Sequence, residues 1–388
     1  MNFRKHSNQT ELDQFFKVIK DENKPCQSVT KSAFCQARKQ LSYTAFIELN
    51  RKLVDNVYQS KESLKKWHGF RLCAVDGTSI RLPDSPEIKQ HFGVQKGRPE
   101  QGDCTMGMAS VFYDVMNHIA IDSGIFPRRK SEHLCAEEHL QFADRNDLII
   151  YDRGYTAFYL YAIHLQKKIN FCIRARTSKE LVIKNFIASG KKDAIVEFTP
   201  NKPSIKTCNE KGLLTKPIKL RLVRVNLKNQ VEVLITNLLD QKQYRTSIFK
   251  GLYHQRWGIE ENYKRLKQWV EIENFSGKSV LSIKQDFYAK IVATNLTALV
   301  GLAAQEKVEK TTKHRRLKYQ INFAQALSKM KHQIVRLLRH GYKDILLIRQ
   351  LINYLSQTVE AVRNGRSYKR KLKNIKNDIH FAAYKSAL

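Results

Sequence analysis

Cysteine is scarce and scattered in this sequence: seven residues, none in a Cys-x-x-Cys pair, an odd number that supports neither a disulfide framework nor a zinc ribbon. The thiols read as reduced and intracellular. Long apolar runs are missing too. The best candidate, near Ala293–Ala304, is interrupted by Asn295 and Thr297 and falls short of the roughly 20 residues that span a bilayer. The opening stretch MNFRKHSNQTELDQFF has no apolar segment of the kind a signal peptide needs. Acidic side chains are also in short supply, with 36 Asp and Glu against 69 Lys and Arg and a formal net charge of +33. Such an imbalance calls for a polyanionic partner, and with no membrane segment in view the expected partner is nucleic acid.

What is present divides the 388 residues into several regions, more than one small core requires. Residues 1–68 read as a helical N-terminal DNA-binding region. Leu12, Phe15, Phe16 and Ile19 recur at helical spacing, Pro25 breaks the pattern, and a second helical stretch runs from Ser32 to Leu53. Lys31, Arg38 and Lys39 on that stretch either face DNA or solvate an ordinary bundle. From Phe70 the texture changes. FRLCAVDG reads as a buried strand ending in an Asp-Gly turn, and Thr105–Tyr113 with His118–Ile125 read as a hairpin around Asp114–Asn117. A helix from Ser131 and Glu132 to Phe142 follows, then DLIIYD as a second buried strand ending at Asp152. A helix from Thr156 to about Lys168 and a strand at Phe171–Arg176 close the series.

Three strands, a helix, a strand, a helix and a strand is the order of the ribonuclease H-like fold, an α/β architecture with a mixed five-stranded sheet and flanking helices. Residues 69–176 would form the first part of this catalytic core. Residues 177–245, with strands at Ile218–Asn226 and Gln230–Leu238 between Pro- and Lys-rich turns, read as a β-rich insertion. Residues 246–300 return to helix, with a turn near Ser276–Gly277, and 301–388 form a basic helical C-terminal region with a turn near Gly341. That last region holds twenty basic and five acidic residues, most densely over Arg363–Lys376, as suits a phosphate-gripping surface. Ile345, Ile348, Ile352, Leu355, Val359 and Val362 are spaced as the core face of one helix or as a short paired seam.

Asp76 and Asp152 each follow an apolar strand. If those strands are neighbours about 4.8 Å apart, the two carboxylates converge and repel, and a divalent cation relieves the repulsion. Hard carboxylate oxygens select Mg²⁺ or Mn²⁺. Each acid could equally just open a turn. The segment LYHQRWGIEENYKRLKQWV favours the first reading. Wound as one helix at about 100° per residue, it brings Tyr253, Arg256, Glu260 and Lys267 within roughly 60° of arc. Leu252, Ile259, Tyr263, Leu266 and Val270 form an apolar stripe about a quarter turn away that would dock the helix and leave Glu260 at the rim. An ordinary Glu260–Lys264 surface pair would account for the acid but not for the phenol and guanidinium beside it. A metal ligand set among phosphate-binding donors accounts for all of them.

Tyr253-x₂-Arg256-x₃-Glu260-x₆-Lys267 resembles the Tyr-Arg-Glu-Lys signature of the Insertion Sequence Four family of DDE transposases. The Asp76-Gly-Thr and Asp152-Arg-Gly-Tyr segments resemble that family's first and second acid motifs, and the resemblance covers roughly residues 30–300. It implies a DNA transposase that cleaves transposon ends and transfers the strands into target DNA by cut-and-paste transposition. Asp76, Asp152 and Glu260 would be its catalytic, metal-binding acids, with two Mg²⁺ ions per site and Mn²⁺ able to substitute. Tyr253, Arg256 and Lys267 would bind DNA phosphates. The implied partners are double-stranded DNA, as terminal inverted repeats and as target, and a second copy of the chain in a synaptic homodimer. The implied location is the cytoplasm, at a prokaryotic nucleoid. Relatives can place a tryptophan in the insertion to stack on a flipped base. Trp67, Trp257 and Trp269 all lie outside residues 177–245, which leaves Phe186, Phe198 or Tyr244 for that role. Two other readings share the acids: a nuclease that cleaves without joining, and a catalytically silent transposase-derived DNA-binding protein.

Overall fold

Three helices, α1 (Asn8–Lys20), α2 (Lys31–Arg38) and α3 (Thr44–Gln59), lead into the apolar stretches, which fold as neighbouring strands. The computed structural model describes residues 7–20, 28–60, 64–97, 102–177, 180–227, 230–340 and 345–363. The expected break at Pro25, the turn at Gly341 and the basic run beyond Arg363 lie outside these residues. After α3 come β1 (Arg71–Arg81), α4 (Pro86–Phe92), β2 (Val94–Gln95), β3 (Cys104–Asp114) and β4 (Ile119–Pro127). Next are α5 (Glu132–His139), β5 (Asp147–Tyr151), α6 (Phe158–Lys167) and β6 (Asn170–Arg174).

Strands β4, β3, β1, β5 and β6 lie side by side in that order, with β1 antiparallel to β3 and parallel to β5, and β5 parallel to β6. This is the ribonuclease H-like arrangement, and the five expected strands are present. The sheet does not stop at them. Residues 177–245 contribute α7 (Leu181–Ala188), β7 (Asp193–Phe198), α8 (Lys202–Glu210), β8 (Ile218–Asn226) and β9 (Val231–Thr236). β9 pairs antiparallel with β6 and is followed outward by β8 and β7, while β2 pairs with the start of β3, so that among the described residues one sheet of nine strands results. The free edge of β6 carries unpaired N–H and C=O groups, and β9 satisfies them.

Side-chain alternation divides the core in two. Leu72, Ala74 and Ile80 of β1 face one layer of helices, whereas Cys73 and Val75 face α5 and α6 on the other side. The first layer comprises α9 (Thr246–His254), α10 (Trp257–Gln268) and α11 (Val280–Thr311). β10 (Lys318–Ile321), α12 (Phe323–His340), α13 (Ile345–Ser356) and β11 (Val359–Val362) complete the chain order. The evenly spaced apolar series from Ile345 is not one helix. α13 ends at Ser356, and Val359 and Val362 belong to β11, which pairs with β10, so neither a continuous seam nor a single core face exists there.

Arg38 does not face DNA. Its guanidinium bridges α2 to the start of α11, donating to Gln285 Oε1 (2.5 Å), the Ser282 carbonyl (2.9 Å) and Asp286 Oδ1 (3.0 Å), and to Ser276 Oγ. α11 is, among the described residues, long and apolar enough to cross a membrane by length and composition, a longer apolar element than the sequence leads one to expect. Of its most apolar stretch, 72% is buried inside the protein, which makes it the core helix.

Asn295 has a specific task in this helix. Its Oδ1 accepts from Ala120 N (2.8 Å), and its Nδ2 donates to Ala120 O (2.8 Å) and Asn50 Oδ1 (2.7 Å). β4 is the outer strand, and Asn295 supplies the partner its edge lacks. Asn295→Leu leaves the Ala120 N–H and Asn50 Oδ1 unsatisfied in a buried place, with only the Asn50 Nδ2 bond to the Ala120 carbonyl (3.3 Å) remaining, so urea unfolding should show a loss of about 2–4 kcal/mol. A loss below about 0.5 kcal/mol would show that water replaces the amide.

Candidate active site

The last parallel pair between β1 and β5 is Ala74 with Ile150. Two residues further along each strand stand Asp76 and Asp152, so the register sets the acids side by side where parallel strands lie about 4.8 Å apart. The expected Asp-Gly turn after Asp76 does not form. β1 runs on to Arg81 because β3 continues to pair with it, Asp76 opposite Val111 and Gly77 opposite Ser110. β5 does end at Tyr151, and Asp152 begins a tight turn by accepting from Gly154 N at 2.6 Å. His133 Nε2 (2.8 Å) and Arg176 Nη2 (3.0 Å) both donate to the Gly154 carbonyl and pin this turn. Asp76 Oδ1 accepts from Gly77 N at 2.9 Å. Burial, with the added charges of Asp152 and Glu132, pushes the Asp76 carboxyl up to about 7 against the opposing pull of Gly77 N–H and Arg256.

The Glu-bearing segment is two helices. α9 ends at His254, and Arg256 precedes α10, so Tyr253 does not share a helix with Arg256, Glu260 and Lys267 as expected. The cause is docking: α9 packs on β8 and α10 on β1, and no single straight helix reaches both. Gly258 allows the close approach, since a Cβ there would meet Val115 Cβ at 3.2 Å. The apolar stripe Leu252, Ile259, Tyr263, Leu266 and Val270 is buried as expected. Tyr263 contributes more than apolar area, because its hydroxyl donates to the Asp76 carbonyl at 2.6 Å. Lys267 Nζ donates to the Ser79 carbonyl at 2.8 Å, fixing α10 along β1.

Glu260 lies one turn before Tyr263, half-buried at the rim. Its partner is Arg256, whose Nη2 donates to Glu260 Oε1 at 2.6 Å, and not Lys264. Arg256 also exerts its charge on Asp76 and stacks 5.8 Å from the Tyr253 ring and 5.4 Å from the Trp257 ring. Tyr253 is buried beneath it. Among the described residues no three His, Cys, Asp or Glu side chains gather closely enough to hold an ion. Asp76 and Asp152 adjoin, and Glu260 is held aside by Arg256. The donor set nevertheless suits a divalent cation, for two hard-oxygen carboxylates adjoin and one of them, Asp76, stands where burial disfavours its charge.

Several contributors escaped the sequence. Tyr263 was legible only as an apolar-stripe member, Glu132 only as an acid in a helix's first turn, and His133 and Arg176 gave no signal. A buried chain also backs Asp76: Asp122 Oδ2 meets His139 Nδ1 (2.6 Å), His139 Nε2 meets Ser110 Oγ (2.9 Å), and Ser110 Oγ donates to the Asp76 carbonyl (3.4 Å). It has the order of a hydrolase triad, but Ser110 is fully buried and no substrate reaches it. Its effect is to brace β1 against α5. Phe186, Phe198 and Tyr244 prove to be buried core residues, so none presents a ring for stacking, whereas Trp257 beside Arg256 is exposed.

A model of the transposase DDE domain family matches residues 67–296. The chain belongs to the DDE transposase family. That family works with divalent metal ions. Over 278 residues the chain is 25% identical to the transposase InsG for insertion sequence element IS4 of Escherichia coli (strain K12), covering 69% of this chain and 60% of that protein. Over 126 residues it is 25% identical to the putative transposase InsZ of the same organism, covering 32% of this chain and 42% of that protein. The Insertion Sequence Four resemblance is thus borne out, and the chain spans less than two thirds of the length of these curated relatives. Among solved structures, the cryo-EM structure of a piggyBac transposase synaptic complex with hairpin DNA is similar at 8% identity and a TM-score of 0.40, over 74% of this chain and 57% of that one.

Proposed function

We propose that this DDE-family chain cuts DNA at the ends of a mobile element and joins those ends to target DNA. The observation that carries the reading is the side-by-side register of Asp76 and Asp152 at the end of adjacent parallel strands, with Glu260 delivered to the same rim by a helix hydrogen-bonded to Asp76 through Tyr263. In this reading Asp76, Asp152 and Glu260 hold two Mg²⁺ ions, or Mn²⁺ in their place. Such ions activate the attacking oxygen and stabilise the leaving 3′ oxygen.

The chain's own groups do the rest. Tyr263 and Ser110 fix the Asp76 backbone, and the Gly154 N–H occupies one oxygen of Asp152 and leaves the other for a cation. Arg256 exchanges Glu260 for a DNA phosphate, which its planar fork fits equally well, and that exchange releases Glu260 to its task. Lys267 lies further along β1 for a neighbouring phosphate, with Tyr253 packed behind. The +33 charge holds the duplex. We assign residues 1–68 and 301–388 to flanking DNA, 69–176 and 246–300 to the catalytic core and 177–245 to the insertion that braces it. Two copies would pair the element's ends.

The test begins by sequencing the DNA on either side of the reading frame, and any inverted repeats found there serve as the substrate. With Mg²⁺ and supercoiled target, an end duplex should be cut and a pre-cut end joined, both visible on a gel. Cutting without joining would move the assignment to a nuclease, and no reaction in Mg²⁺ or Mn²⁺ with DNA binding intact would move it to a silent binder.

A further inference from the structure

Glu132 opens α5 on the sheet face opposite α10. A Cβ on Gly77 would meet its Oε1 at 3.0 Å and its Cγ at 3.1 Å, so this side chain folds down over the residue that follows Asp76. The two faces of the sheet meet here. β5 stops at Tyr151, and beyond Ala74 strand β1 keeps only β3 as a neighbour. Past the end of β5, Glu132 comes over from the α5 side close enough for its charge to act on Asp76, while Glu260 stands on the α10 side in the grip of Arg256.

The four acids differ in their bonding. Asp76 accepts from Gly77 N, Asp152 from Gly154 N, and Glu260 from Arg256. Glu132 is exposed and, among the described residues, takes no hydrogen bond and no ion pair, while Asp152 is the acid whose charge it feels most. A role limited to the helix N-terminus after the Ser131 cap would need only its charge near that end, not a fold inward over Gly77. It is the one acid of the four whose arm is free to move to a cation.

We propose that Glu132 is a fourth carboxylate of this centre, a ligand that joins Asp76 and Asp152 on a divalent cation while Arg256 still holds Glu260. The proposal rests on the transposase reading above, and it orders events: the cation settles first on Asp76, Asp152 and Glu132, and Glu260 joins when a DNA phosphate takes Arg256 from it.

Titration of the full chain with Mn²⁺ in the absence of DNA, followed by electron paramagnetic resonance, tests it. Glu132→Gln should weaken Mn²⁺ binding at least about tenfold. Asp76→Asn should weaken it as much or more. Glu260→Gln, and Glu210→Gln on α8 as a charge control, should bind as the wild type does. Thermal melting without cation should show Glu132→Gln folded. If it is not, Glu132→Asp, which withdraws the carboxylate by one methylene, should show intermediate weakening. Glu132 variants that bind like wild type while Asp76→Asn loses Mn²⁺ would overturn the role of Glu132 and leave the transposase reading standing. Retention of Mn²⁺ by Asp76→Asn, or no binding by the wild type, would overturn both.

Discussion

Asp76→Asn should abolish DNA cleavage, by at least about a thousandfold, and yet make the protein harder to melt at pH 8. The two effects have one cause. Asp76 sits where burial and two nearby carboxylates disfavour its charge, so its folded value near 7 stands well above its ordinary 3.8. Between those values the folded protein binds the proton that the unfolded chain releases. The stability that this one group contributes is therefore fully present below about pH 4 and is lost as pH rises through 7, an amount on the order of a few kcal/mol. Asparagine keeps the shape and the hydrogen bond from Gly77 N without the charge, so that loss disappears. A cation does the same for the native side chain. Added Mg²⁺ should raise the wild-type melting temperature more at pH 8 than at pH 5.5, and should barely move the variant. Fluorescence melting with a gel assay of cleavage reads both. A variant that melts earlier than the wild type at pH 8 would show that the carboxylate is stabilised rather than strained, and one that still cuts would remove Asp76 from the chemistry.

Much of this site was legible because its signals are local. Short apolar runs at residues 71–75 and 147–151 announced buried strands, and acids at equal distance beyond them announced a rim. The Tyr253 to Lys267 spacing pointed to a polar face on one helix, whereas the segment is divided between α9 and α10. What the sequence left hidden depends on partners distant in the chain. Asp76 looks like a strand exit until β3 is seen to continue beside it, and the insertion reads as a separate β unit until β9 is seen to complete the edge of β6. The break after His254 was hidden because no proline marks it; it arises because β8 and β1 present their surfaces in different places. The Arg256–Glu260 pair sat in plain spacing at i,i+4, but Lys264 on the other side of Glu260 offers the same spacing, and only packing chooses between them. Glu132 was hidden for a different reason: an acid after a serine cap already has an ordinary explanation.

Arg221→Ala should destabilise the protein by about 3–5 kcal/mol, because it strands charges that the fold has taken out of water. Arg221 lies on β8 facing α9 and is fully buried. Its Nε and Nη2 donate to the Asp193 carboxylate of β7 at 2.9 and 2.5 Å, and Nη1 donates to the carbonyls of Leu238 (3.2 Å) and Asp240 (3.4 Å). The guanidinium also stacks 5.1 Å from the ring of Phe249 on α9. One side chain thus ties the two outer strands to the segment after β9 and to the helix that leads directly to Arg256 and Glu260. Truncation leaves Asp193 half-buried without its counter-charge, the Leu238 carbonyl unsatisfied and a void beneath Phe249, while the Asp240 carbonyl keeps the Tyr244 N–H. The paired replacement Arg221→Met with Asp193→Leu removes both charges and refills the space, so it should recover most of the loss. Urea unfolding of the single and double variants measures this. Hydrogen exchange locates it: protection in Arg221→Ala should fall first in α9 and α10, while β1, β3 and β5 keep theirs. A single-variant cost below about 1 kcal/mol, or uniform loss of protection across the sheet, would mean that the insertion does not hold the Glu-bearing helices in place through this residue.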